Sequence, residues 1–217
     1  MTSEEAAQRI GEIGVVPVVR AAGVEEARQA VDAILAGGIP VVEITMTVPG
    51  AVAVIRDMVR QFGSKVLVGA GTVVTREQAE ACLEAGAQFL VSPGLSIAMV
   101  RMARERNTLA VPGALTPTEV MAATDGGASV IKIFPCGSVG GAKYLKALRG
   151  PFPNLKLIPT GGVSVANAAE YIAAGAFAVG VGSDLVDTAA LRQGKPEKIV
   201  AAARELVAAV QMARKAA

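Results

Sequence analysis

The sequence contains no histidine and no tryptophan, and aromatic residues make up 3% of it. Without histidine the usual general base of neutral-pH chemistry is missing, and so is the commonest metal ligand. Acid–base work falls to Glu, Asp, Lys, Tyr, Cys or water. A zinc centre is disfavoured, because enzymatic zinc sites rarely lack histidine. Neither a metal nor any other cofactor is expected. Cysteine is nearly absent: Cys82 and Cys136 have no metal-like spacing and suggest no disulfide framework, so the cytoplasm is the expected compartment. Neither sign of charge is in excess, since 21 Lys and Arg against 19 Asp and Glu leave +2. With no basic stripe, nucleic acid and membrane surfaces are not expected as partners. Long apolar runs are also missing, so no membrane span is expected. The opening M-T-S-E-E-A-A-Q-R-I reads as an amphipathic helix start with acidic residues, not as a signal peptide.

What is present is alanine, valine and glycine, within a chain that is 52% hydrophobic. Such a composition suits close packing of helices on a sheet. At 217 residues the chain fits one domain, residues 1–217. Thr2 or Ser3 caps a first helix. After it, short apolar strands alternate with amphipathic helices. Strands are predicted at Gly14 to Arg20, Ile39 to Thr45, Lys65 to Thr72, Gln88 to Gly94, Thr108 to Gly113, Ala128 to Phe134, Leu155 to Gly162 and Ala176 to Ser183. They are apolar on both faces, as in a buried parallel sheet. Eight βα units predict an α/β fold, a (β/α)8 TIM barrel capped by the N-terminal helix. A doubly wound open sheet is the alternative, but no dinucleotide fingerprint supports it.

The stretch A-S-V-I-K-I-F-P, Ala128 to Pro135, carries the chemistry. Strand alternation puts Val130, Lys132 and Phe134 on one face. A buried ammonium needs a reason. One is an ion pair with a nearby carboxylate. The other is an amine nucleophile that forms a Schiff base with a carbonyl substrate. A free lysine has a pKa of ~10.4, so only about one in 2,500 is neutral at pH 7. Burial lowers that pKa by up to ~3–5 units, which makes an apolar strand a suitable setting. Glu43, late in the second strand, is placed like Lys132, and Arg20 ends the first strand. Three strand-borne ions then converge at the mouth where such barrels place their sites.

Glycine turns add to this. T-G-G (Thr160 to Gly162) and G-V-G-S (Gly180 to Ser183) follow the seventh and eighth strands, the usual phosphate site of this architecture. They are phosphate loops or merely tight turns. G-A-G-T (Gly69 to Thr72) is a third turn, in which Thr72 either meets a small carboxylate or caps a helix. Thr75 is the better cap. Cys136 is a reactive thiol or a small residue filling a turn. A buried lysine, one carboxylate and a phosphate site, without histidine, describe a class I aldolase acting on a phosphorylated carbonyl substrate.

The motifs V-E-I-T, V-G-A-G-T, S-P-G, K-I-F-P, G-P-F-P-N, P-T-G-G-V and G-V-G-S occur in that order along nearly the whole chain. As a set they resemble the 2-keto-3-deoxy-6-phosphogluconate (KDPG) aldolase family, some members of which also act on 4-hydroxy-2-oxoglutarate. The resemblance implies a homotrimer of (β/α)8 barrels, cleaving a phosphorylated 2-keto acid into pyruvate and glyceraldehyde 3-phosphate. It implies that Lys132 is the Schiff-base lysine and Glu43 the proton carrier. Arg20, Thr47, Thr72, Pro93 and Phe134 would line the pyruvate end, and Gly161, Gly162, Gly182 and Ser183 would hold the phosphate. One position departs from the pattern. Many members have an arginine four residues after the glutamate, and here that residue is Thr47. Arg20 is the candidate replacement for the missing cation. The galactonate epimer of the substrate is an alternative within the same chemistry. A trimeric scaffold or phosphate-binding protein is the non-enzyme alternative.

Overall fold

The structure, a computed structural model, describes residues 1–216. Its strands are β1 (Val15–Val19), β2 (Val41–Thr45), β3 (Leu67–Gly71), β4 (Phe89–Val91), β5 (Leu109–Val111), β6 (Gly113–Ala114), β7 (Val130–Ile133), β8 (Lys156–Pro159) and β9 (Val179–Val181). Its helices are α1 (Ser3–Ile13), α2 (Val24–Ala36), α3 (Ala51–Phe62), α4 (Arg76–Glu84), α5 (Ile97–Glu105), α6 (Pro117–Asp125), α7 (Gly141–Arg149), α8 (Ala168–Ala173), α9 (Thr188–Arg192) and α10 (Glu197–Lys215).

The caps explain where several helices start. Thr2, Thr75 and Thr116 each accept a hydrogen bond from the amide three residues on, and Glu5, Gln78 and Glu119 reach back to the cap amide. Each pair satisfies two amides that a helix end leaves without partners. Thr75 rather than Thr72 thus caps α4. The short helix α9 was not anticipated. Its five residues are fewer than periodicity can register.

Every strand pair is parallel. Six strands lie in the order β5-β4-β3-β2-β1-β9 and three in the order β6-β7-β8. This curled α/β sheet agrees with the predicted class, but the ladders differ from the eight expected. The predicted fifth strand is split at Pro112, whose ring nitrogen has no hydrogen to donate to a ladder. The Pro112 carbonyl still accepts from Lys132 N at 3.0 Å. Between β8 and β9 the pairing shrinks to one parallel bridge, Thr160 with Gly180, and a 2.9 Å bond from Phe177 N to the Leu157 carbonyl.

Helix α1 packs on β1, β2 and β5 at the N-terminal ends of the strands. Its Ile10 is fully buried and reaches the space enclosed by the sheet. The predicted first helix thus covers one end of the curled sheet. Burying the apolar sheet faces under Val, Ile, Leu and Ala is the main stabilising term, at roughly 25 cal/mol per Å² of apolar surface removed from water.

Candidate active site

Lys132 is buried, with 4% of its surface exposed, on the inner face of β7. Its Nζ lies 5.0 Å from the centre of the Phe134 ring, two residues along the same strand face. Glu43 is 3% exposed on β2. Both side chains line one narrow cavity of about 10 Å³, which is room for about one water. Phe89 and Ile10 also border it. Among the described residues no carboxylate oxygen lies within 4.0 Å of Lys132 Nζ. The buried ion pair that the sequence left open is therefore not formed.

Glu43 Oε1 is buried and has no hydrogen-bond partner among the described residues. Burial raises the Glu43 carboxyl above the ordinary carboxylate range, and the positive charges of Lys132 and then Arg20 pull it back down. Such a group can hold a proton where an exposed glutamate has lost it.

The G-A-G segment is not a turn. Gly69 and Gly71 lie within β3, and their missing side chains provide clearance. A Cβ on Gly69 would overlap the Phe89 ring, and one on Gly71 would overlap Glu43 Oε1. Gly180, read as part of a phosphate loop, likewise lies in β9, where a Cβ would overlap Thr160 Oγ1. Thr160 is 4% exposed and shares the cavity with Lys132 and Glu43. It was missed because P-T-G-G was read for its glycines alone. The alternation of Ile158 and Thr160 on one strand face would have found it.

Thr72 follows β3 with φ of 55°, left-handed without being glycine. That conformation is uncommon for a β-branched residue and recurs at functional sites. Pro93 is half-buried in the loop after β4, and its carbonyl lies against Gly113, where a Cβ would overlap it. Thr47 is exposed, and its hydroxyl lies 2.7 Å from that of Thr45. Arg20 is exposed at the end of β1. A Cβ on Gly182 would stand 2.9 Å from Arg20 Nη1. Arg20 thus lies against the β9 turn, and its charge also lowers the Glu43 carboxyl.

Gly161 and Gly162 have φ of 82° and 79°. Glycine adopts this left-handed region readily, whereas L side chains rarely do. The N–H groups of Gly161, Gly162, Gly182 and Ser183 find no acceptor among the described residues. The loops after β8 and β9 thus offer four free donors. Among those residues no group of three or more His, Cys, Asp or Glu could hold a metal ion.

The sequence profile described as "Aldolase: KDPG and KHG aldolase" matches residues 6–202. The chain belongs to the KDPG and KHG aldolase family. As a member of that aldolase family it is a lyase. It is 39% identical to the KHG/KDPG aldolase of Escherichia coli K12, over 89% of this chain and 90% of that one. It is 36% identical to a probable 2-dehydro-3-deoxy-6-phosphogalactonate aldolase of Rhizobium meliloti, over 78% of this chain and 80% of that one. A KDPG aldolase from Legionella pneumophila, solved with pyruvate captured as a covalent carbinolamine, superposes with a TM-score of 0.86 at 31% identity, covering 93% of this chain and 97% of the other. A cube-shaped protein cage, designed by fusing symmetric oligomeric domains, superposes with a TM-score of 0.85 at 33% identity, covering 94% of this chain and 74% of the cage chain. No described helix is long and apolar enough to cross a membrane.

Proposed function

We propose that this aldolase cleaves 2-dehydro-3-deoxy-6-phosphogluconate to pyruvate and glyceraldehyde 3-phosphate through a Schiff base on Lys132. The observation that carries the reading is the juxtaposition of Lys132, buried without a carboxylate partner, and Glu43, whose buried Oε1 is unpaired. A buried polar pair left unsatisfied costs stability and is retained where chemistry needs it.

Neutral Lys132 Nζ adds to the C2 carbonyl, and the carbinolamine loses water to give an iminium. The C3–C4 bond breaks, its electron pair moving toward the iminium nitrogen to form an enamine. The C4 hydroxyl loses its proton and becomes the aldehyde. The enamine takes a proton at C3, and water then releases pyruvate and regenerates Lys132. Glu43 is the carboxylate placed to move those protons. Thr72, Pro93 and Phe134 line the pyruvate end, and Arg20 supplies the cation for its carboxylate. Gly161, Gly162, Gly182 and Ser183 hold the phosphate through their free amides.

The same reading includes one domain over residues 1–217, with the sheet closed as a (β/α)8 barrel. Closure is supported by the joints at both sheet edges: Pro112 between β5 and β6, and the Thr160–Gly180 bridge between β8 and β9. A cytoplasmic homotrimer completes it. The fused oligomeric domains of the similar cage protein support an assembly, and a solution mass of three chains would test it. The E. coli and Rhizobium relatives favour assaying 4-hydroxy-2-oxoglutarate and the galactonate epimer in parallel.

The experiment is borohydride reduction in the presence of pyruvate, followed by peptide mapping. A pyruvyl adduct on Lys132 is expected. Folded protein without an adduct overturns the imine reading.

A further inference from the structure

We infer that Thr47 and Thr45 form a hydroxyl relay that positions Arg20, so that position 47 serves the pyruvate end without touching the substrate. The inference rests on the reading of Arg20 as the cation for the substrate carboxylate. Two distances decide where the protons point. Thr45 Oγ1 lies 3.0 Å from the Val19 carbonyl oxygen. A carbonyl can only accept, and a threonine has one hydroxyl proton, so Thr45 donates that proton to Val19. Thr45 Oγ1 also lies 2.7 Å from Thr47 Oγ1. With the Thr45 proton already used, Thr47 must be the donor in this second bond.

Both hydroxyl protons are therefore directed inward, toward β1. Thr47 has only lone pairs left to present to the mouth. A substrate carboxylate also presents only lone pairs, so Thr47 cannot donate a hydrogen bond to it while the relay is intact. The relay instead ends on Val19, the residue before Arg20. The β1–β2 register runs Val18 to Glu43 and Val19 to Ile44. Thr45 lies one residue past that last pair, so its side chain extends the strand contact beyond the backbone ladder. Thr45 is fully buried, which shields the Thr45–Val19 bond from water. On the other side Arg20 passes over Gly182, which has no side chain to obstruct it. The backbone that carries Arg20 is thus tied to the strand that carries Glu43, and its guanidinium is left free at the mouth.

The test is a double-mutant cycle of Thr47→Val and Arg20→Ala, with Thr47→Ser as rescue. The readout is the pyruvate concentration giving half-maximal borohydride trapping, measured beside the trapping rate at saturating pyruvate. Thr47 is exposed, and valine keeps its shape. Thr47→Val is expected to raise half-saturation about fivefold, the effect of one lost hydrogen bond, with the change falling on half-saturation rather than on the saturated rate. Thr47→Ser restores the parent value. In the Arg20→Ala background Thr47→Val adds nothing, because both act through one group. Equal effects in both backgrounds would mean that Thr47 meets the substrate itself, and overturn the relay. So would an unaffected Thr47→Val beside an impaired Arg20→Ala. If Arg20→Ala alone leaves trapping unchanged, the Arg20 reading falls first and the relay with it.

Discussion

The carboxylate of Glu43 stands where a side chain on Gly71 would stand: a Cβ added there would overlap Oε1. The two residues lie on adjacent strands, β2 and β3, with Thr45 rather than Glu43 paired to Gly71. Glu43 therefore leans forward along the sheet, toward the mouth. Gly71→Ala should displace the carboxylate while leaving Lys132 in place. Turnover should fall by about 10²-fold, the lower range for loss of a positioned acid–base group, while pyruvate trapping on Lys132 persists. Steady-state turnover beside borohydride trapping would check this. Parent-like turnover would show that Glu43 needs no such clearance.

Glu43→Gln should separate chemistry from stability. The imine should still form, and turnover should fall by about 10²–10⁴-fold. Burial raises the Glu43 carboxyl above its ordinary 4.5, against the opposing charges of Lys132 and Arg20. The folded state then holds this proton more tightly than the unfolded chain does. The contribution to stability is fully present below the ordinary carboxylate pKa and is lost as pH rises through the raised value. Glutamine removes that loss. The variant's melting temperature should match the parent near pH 4 and exceed it increasingly above that. A constant difference across pH would contradict the assignment.

Gly161→Ala tests the phosphate end. At φ of 82° an L-residue is strained, and its Cβ would lie 3.1 Å from the Phe134 ring. Holding alanine there costs about 1–2 kcal/mol, and the loop should relax away from its amide-presenting form. KM for the phosphorylated substrate should rise about tenfold, with half-saturation for pyruvate trapping changed much less. Equal changes in both would argue that the loop does not discriminate the phosphate.

The thiols should be inert. Cys82 and Cys136 are fully buried, and burial pushes both thiols up to about 11. At pH 8 only about one in 1,000 is thiolate, the reactive form. Native protein should therefore react negligibly with a disulfide reagent, and both cysteines should react on unfolding. Rapid labelling of native Cys136 would revive the reactive reading of that residue.

Local information was enough for much of this molecule. Apolar runs of strand length, capping threonines and glycine stops mark element types over nearly the whole chain, because caps and side-chain periods act over a few residues. Lys132 inside a strand and Glu43 on the matching face of another are legible for the same reason. Pro112 carried its own warning, since a proline cannot donate to a ladder, yet its neighbours read as one strand. Everything that depends on distance across the sheet was decided only by tertiary structure. The sequence could not separate a Lys132–Glu43 ion pair from two unpaired groups sharing a cavity, because that turns on a few ångströms between strands far apart in the chain. Gly69, Gly71 and Gly180 fell both within predicted strands and within predicted glycine turns. They are strand residues whose missing side chains admit Phe89, Glu43 and Thr160, and clearance of that kind exists only once strands are neighbours. Thr45 and Thr47 were ordinary threonines until the Val19 carbonyl lay within hydrogen-bond reach and fixed the direction of both protons.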